Sequence, residues 1–187
     1  MPNLIRQIPE TMRKQGIPEE IIARFNIPKT GDSEDVMALI NQMDKLLTRE
    51  QCLSVMQEQG CCKTGKPAAA HREFGHTNKD KTLAEKVSLF NETQMIHKAP
   101  CRLNPDGTLS VYWGADDLKK KSCPCGFTKK LPDGFEVPLT FCGCCGGHIR
   151  SNYQKSLGLK LRLKEIVSSS SNSNGKKRCE FLYEIVG

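Results

Sequence analysis

The sequence predicts an α+β fold in which N-terminal helices pack on an antiparallel sheet that a C-terminal helix and β-hairpin complete. Three observations carry this expectation. Apolar residues recur at helical spacing before residue 100, they alternate after it, and turn signatures punctuate the second half. The 187 residues suit one compact domain, with 1–100 as a helical region containing a Cys-bearing helix end and 101–187 as a cysteine-rich α+β region. Apolar residues make up only 37% of the chain even with ten cysteines counted among them, and the aromatics are seven Phe, three Tyr and one Trp. Something besides apolar burial is therefore expected to help hold the fold.

Residues 18–25 read as a short helix, because proline suits the first helical turn and Glu19 and Glu20 suit its positive end. Asp32 or Ser33 then caps a longer helix whose Val36, Leu39, Ile40, Met43 and Leu47 form one stripe. Thr48 and Gln51 fit a capping box, and Gly60 offers a stop, which sets Cys61 and Cys62 just past a helix end. A second box, Thr82 with Glu85, opens a helix carrying Leu83, Val87 and Phe90 that Pro100 forbids to continue. Between them, residues 63–80 lack a period and are expected to be a loop. Asn104-Pro105-Asp106-Gly107 followed by β-branched and aromatic residues to Trp113 predicts a hairpin. Residues 135–142 form another strand candidate after a Pro-Asp-Gly turn at 132–134, with Pro138 marking an edge or bulge. Gly146-Gly147 is expected to open a helix lined by Ile149, Tyr153 and Leu157 and closed by Gly158. Leu159, Leu161 and Leu163 alternate with basic residues, and Cys179, Phe181, Tyr183 and Ile185 alternate with glutamates. They predict a closing hairpin whose serine-rich tip, 168–175, is a mobile loop.

Charge and targeting narrow the function classes. The formal charge is +7. Residues 1–50 hold seven basic and eight acidic groups, leaving 21 of the 28 basic and 13 of the 21 acidic groups to the cysteine-containing remainder. Lys119-Lys120-Lys121, Lys129-Lys130 and Lys176-Lys177-Arg178 suit an anionic partner, a solvated face or a counterweight to thiolate charge. Aromatics interleaved for base stacking are absent, which argues against nucleic acid, although the basic C-terminal hairpin keeps a regulatory nucleic-acid or protein contact open. No apolar run approaches the roughly 18 residues of a membrane span, and the first residues lack the order of a signal peptide, so the expectation is a cytoplasmic protein without membrane attachment.

The cysteines are the strongest signal. Seven of the ten fall in three groups: Cys61-Cys62, Cys123-Pro124-Cys125 and Cys142-Gly143-Cys144-Cys145. Thiolates bind zinc or iron-sulfur clusters, and the proline and glycine between these cysteines make turns that aim neighbouring sulfurs at one point. The spacing is neither that of a zinc ribbon nor the ferredoxin run. Metal ligation, redox or disulfide chemistry and plain core filling all stay open, with zinc the foremost cofactor expectation. Lone Cys52, Cys101 and Cys179 read as core. Cys144 and Cys145, set before the expected helix start at Gly146, are candidate nucleophiles because exposed amides there favour thiolate, and His148 is their candidate base or a ligand. That makes a cysteine-dependent hydrolase or reductase-like enzyme the second reading. His71 and His76 read as exposed loop residues, and His97 carries no signal.

Gly146-Gly147-His148, Tyr153, Leu157-Gly158, the leucine-rich strand, the serine segment, Gly175 and Cys179-Glu180-Phe181 together resemble the closing helix and hairpin of 4-vinyl-reductase-like domains. They are also similar to related families that include L-2-amino-thiazoline-4-carboxylic acid hydrolase-like proteins. Gly60-Cys61-Cys62 with the Cys123/Cys125 and Cys142/Cys144 pairs resembles a cysteine-rich, uncharacterised branch of that group. The resemblance implies an α+β fold, metal or small-molecule binding and a sensory or accessory role. The adjacent pairs Cys61-Cys62 and Cys144-Cys145 depart from its pattern, which leaves the ligand of each pair open. The partners expected are a small molecule bound beside the thiolate site and a second copy of the chain.

Overall fold

A computed structural model describes residues 4–28, 30–60, 63–93, 99–114, 123, 125–132, 135–173 and 175–186. Cys61, Cys62, His97, the Lys119-Lys120-Lys121 cluster and residues 133–134 of the second Pro-Asp-Gly turn lie outside the described residues. The architecture is α+β, with seven α-helices among the described residues and a four-stranded antiparallel sheet. The helices are α1 (Leu4–Lys14), α2 (Glu19–Ile22), α3 (Ser33–Leu46), α4 (Arg49–Glu58), α5 (Gly65–Thr77), α6 (Leu83–Glu92) and α7 (Gly143–Leu157).

Local chemistry starts three of them. Asp32 accepts the Asp35 amide at 2.8 Å to cap α3, and both capping boxes form, Thr48 with Gln51 on α4 and Thr82 with Glu85 on α6. The expected loop at 63–80 is instead the helix α5 with its turn. Its buried stripe, Ala68, His71 and Phe74, is narrow and one-third imidazole, so the apolar period is faint. Tertiary packing sustains it: a Cβ on Gly75 would stand 2.0 Å from the Lys155 carbonyl oxygen, so only glycine permits this approach of α5 to α7.

The strands β1 (Cys101–Leu103), β2 (Leu109–Trp113), β3 (Leu161–Ser168) and β4 (Cys179–Ile185) lie in the order β1-β2-β4-β3. Leu109 pairs with Tyr183 and Val111 with Phe181, which puts the buried members of both strands on the face that meets α7. Along β3 the register shifts between Leu163 and Glu165 and again between Ile166 and Ser168, two irregularities that bend this edge strand.

Two expectations in the second half are corrected. Residues 135–142 form no strand; Pro138, at φ −57°, leads into a 3-10 turn over Leu139–Cys142. That turn runs straight into α7, which therefore begins at Gly143 rather than at Gly146-Gly147. The glycines serve a helix crossing: a Cβ on Gly147 would meet the Gln57 carbonyl oxygen at 1.8 Å, and one on Gly143 the Met56 Cβ at 2.7 Å. Gly158 closes α7 in the left-handed conformation, φ +70°, as expected.

Burial divides into two cores. A helical core joins α1–α4 with Val137 and Phe141, and a sheet core joins the strands to α5, α6 and α7. Cys125 and Cys144 border the first, and Cys142 and Cys145 belong to or border the second. No helix among the described residues is long and apolar enough to cross a membrane.

Candidate functional site

Two of the three cysteine groups meet at the seam between the cores. After Cys125 the chain turns through Gly126 into a 3-10 turn over Thr128–Lys130, and this turn points the amides of Phe127 and Thr128 at the Cys125 sulfur. The same sulfur accepts the thiol of Cys123 from its own segment and the thiol of Cys145 from the first turn of α7. These donors hold Cys125 far below the ordinary thiol range, the Cys123 hydrogen bond contributing most and the Cys145 hydrogen bond next, against the opposing effect of burial.

The neighbours shift the other way. Donation to Cys125 and then burial push the Cys123 thiol up, with the Thr128 hydroxyl opposing. Cys145 is raised by its bond to Cys125, by burial and by the sulfurs of Cys144, Cys125 and Cys142. Burial raises Cys142, and the hydroxyls of Ser169 and Ser171 resist that rise. The influences on these four thiols thus come from sulfur, hydroxyl and amide groups and from burial. The eight described cysteines are all free. Among the described residues no three His, Cys, Asp or Glu groups stand in an ion-holding arrangement.

Cys61 and Cys62 lie outside the described residues, but both flanks are fastened to α7. A Cβ on Gly60 would come within 2.6 Å of the His148 amide nitrogen, and Lys155 Nζ donates to the Lys63 carbonyl at 3.0 Å. Cys144 sits on the same side, its thiol donating to the Gln59 carbonyl at 3.3 Å. That is work for a protonated sulfur, since a thiolate has no proton to offer a carbonyl oxygen.

The premise for a nucleophile ahead of a helix is corrected as well: Cys144 and Cys145 are inside the first turn of α7. His148 lies one turn further on. Its ring meets Trp113 edge-on at 5.8 Å, and its Nε2 is 3.3 Å from the Asn152 amide nitrogen. Asn152 is itself buried, and its Oδ1 makes no hydrogen bond among the described residues. His71 is buried rather than exposed. Its Nδ1 lies 2.7 Å from the Ser156 hydroxyl and its ring stacks on Phe90, a structural use of imidazole within the sheet core, whereas His76 is exposed.

The serine-rich tip is the feature that sequence reasoning missed. It folds inward, so Ser169 is 1% exposed and its hydroxyl is 3.1 Å from the Cys142 sulfur, with the Ser171 hydroxyl at 3.5 Å. The Ser170 amide donates to the Cys179 sulfur at 3.4 Å. The one sequence signal was the alternation of β3 and β4, which brings Cys179 beside the tip. A surface groove of about 530 Å³ between α4 and the sheet is lined by Arg49, Gln57, Arg162 and Glu184 among others, and by no cysteine. Compared with models of protein families, with curated proteins and with solved structures, the chain finds no match, so its function is argued from this thiol cluster.

Proposed function

We propose that the chain is a metal-binding protein that holds zinc at the seam between its two cores, through thiolates drawn from Cys61, Cys62, Cys123, Cys125, Cys142, Cys144 and Cys145. The observation that carries this reading is the Cys125 sulfur, which collects two amides of its own turn, the thiol of Cys123 two residues before it and the thiol of Cys145 from α7. Thiols that share protons at such close range present the donor set a soft divalent cation takes up, and the ion replaces those protons when it binds. A buried group of sulfurs otherwise carries a steep desolvation cost for any second negative charge, and a cation offsets it. Zinc suits the set because it needs no redox partner and accepts tetrahedral sulfur; an iron-sulfur cluster is the alternative that the same ligands admit. The role that goes with the site is structural and sensory, in a cytoplasmic, reducing setting where the thiols stay free.

The test is metal content with an absorption spectrum on protein purified without air. One colourless zinc per chain, together with a fall in unfolding midpoint after chelation, is the expected result. A brown cluster selects the iron-sulfur alternative. Metal-free protein of undiminished stability overturns the reading.

A further inference from the structure

We propose that Ser169 and Ser171 are positioning residues for the metal site, a relay of hydroxyls that holds the Cys142 sulfur as a hydrogen-bond acceptor and so assigns Cys142 as a ligand. The inference rests on the metal-binding reading above and names residues of the site that lie 27 and 29 positions away in sequence.

The proposed relay runs from the Asn172 amide towards the Cys142 sulfur. Ser169 Oγ has one proton and two lone pairs. The Asn172 amide donates to it at 3.3 Å, and the Ser171 hydroxyl lies 2.8 Å away. In the relay we propose, the Ser171 hydroxyl fills the second lone pair, and the Ser169 proton then goes to the Cys142 sulfur at 3.1 Å. Each donor in the chain polarises the next, so the bond that reaches sulfur is strengthened by those behind it. A sulfur bound to a metal has no proton and only accepts, and a relay running in this direction serves that state. The contrast with other cysteines is direct: Cys52 donates its thiol to the Met43 carbonyl at 3.5 Å and Cys144 to the Gln59 carbonyl at 3.3 Å, whereas Cys142 faces hydroxyls. Place reinforces chemistry, since Cys142 is 5% exposed, closes the 3-10 turn that feeds α7 and stands within electrostatic reach of Cys125. Outer-shell hydrogen bonds of this kind orient a ligand and tune its electron donation to the metal.

The experiment is a Co(II) titration of the full chain, read by absorption, for the wild type, Ser169→Ala, Ser169→Thr and Ser171→Ala. Removing a hydrogen bond raises the energy of the sulfur lone pairs. The sulfur-to-cobalt charge-transfer band of Ser169→Ala is therefore expected to move to longer wavelength, with affinity falling roughly 10- to 100-fold. Ser169→Thr keeps the hydroxyl and restores both. Ser171→Ala, at a half-buried position that tolerates truncation, shifts the band in the same sense by less, and it carries the test if Ser169→Ala does not fold. Wild-type bands and affinity in Ser169→Ala and Ser171→Ala overturn the relay and leave the metal reading standing. A wild-type chain that takes up neither Co(II) nor zinc overturns both.

Discussion

The helical core and the sheet core are built from different materials. The first is lined by aliphatic side chains and takes four of the chain's six methionines, Met12, Met37, Met43 and Met56, with few rings among them. The second stacks Phe74, Phe90, Tyr153, Phe181 and Tyr183 against Cys101, Cys142 and Cys179, and the buried polar side chains His71, Asn152, Ser156 and Ser169 gather around it. Methionine and branched aliphatics adapt to whatever space the helices leave, whereas rings and hydrogen-bonded polar groups accept few arrangements. The difference teaches where geometry is enforced: the adaptable core supplies stability, the exacting one supplies position, and the thiol cluster lies where they meet.

The largest expected effect comes from breaking the seam itself. Gly147→Ala sets a methyl group 1.8 Å from the Gln57 carbonyl oxygen, backbone against backbone, with no flexible side chain to yield. A loss of more than about 4 kcal/mol is expected, read as urea midpoint, with the Trp113 fluorescence and helical circular dichroism transitions coinciding. Separate transitions would mean that the two cores are independent and that the comparison describes two domains.

A smaller loss follows from the helical core alone. Leu39→Ala, at a fully buried position of α3, is expected to cost about 3 kcal/mol while uptake of the zinc proposed for the seam, per folded chain, stays unchanged. Metal lost in proportion to stability would break the division of labour between packing and position.

The smallest effect separates the seam from both cores by thiol chemistry. Burial raises Cys52 to about 11 in the helical core and Cys101 to about 12 in the sheet core. A raised pKa favours the protonated fold, so this contribution is fully present below the ordinary thiol pKa and is lost as pH climbs towards 11 and 12. Stability due to these two thiols is thus flat from pH 6 to about 8. In chelated protein at pH 8, alkylation followed by peptide mapping is expected to modify Cys125 first and Cys52 and Cys101 last. Equal rates would dissolve the distinction.

Much of the first half was legible because its signals are local. Thr48, Gln51, Thr82 and Glu85 satisfy amides within three residues, so sequence and structure agree there without reference to the rest of the chain. The helix α5 was not legible, because Gly75 reads as a breaker until Lys155 is seen against it. Gly146 and Gly147 read as a start signal for the same reason, though they are contact points for Leu163 and Gln57. At the site, grouping of cysteines pointed to the meeting of Cys123, Cys125, Cys142 and Cys145, since tight turns are written in adjacent residues. Ser169 and Ser171 stayed hidden: a run of serines has the composition of a solvated turn, and only the fold shows it turned inward on Cys142.

That bend has a consequence beyond the site. Strand β3 forms the outer rim of the sheet, and a foreign strand extending the ladder would need a straight row of free amides and carbonyls. The rim instead kinks twice and presents Arg162, Lys164 and Glu165 to solvent. Shape and charge together therefore disfavour fibril-like growth through this side.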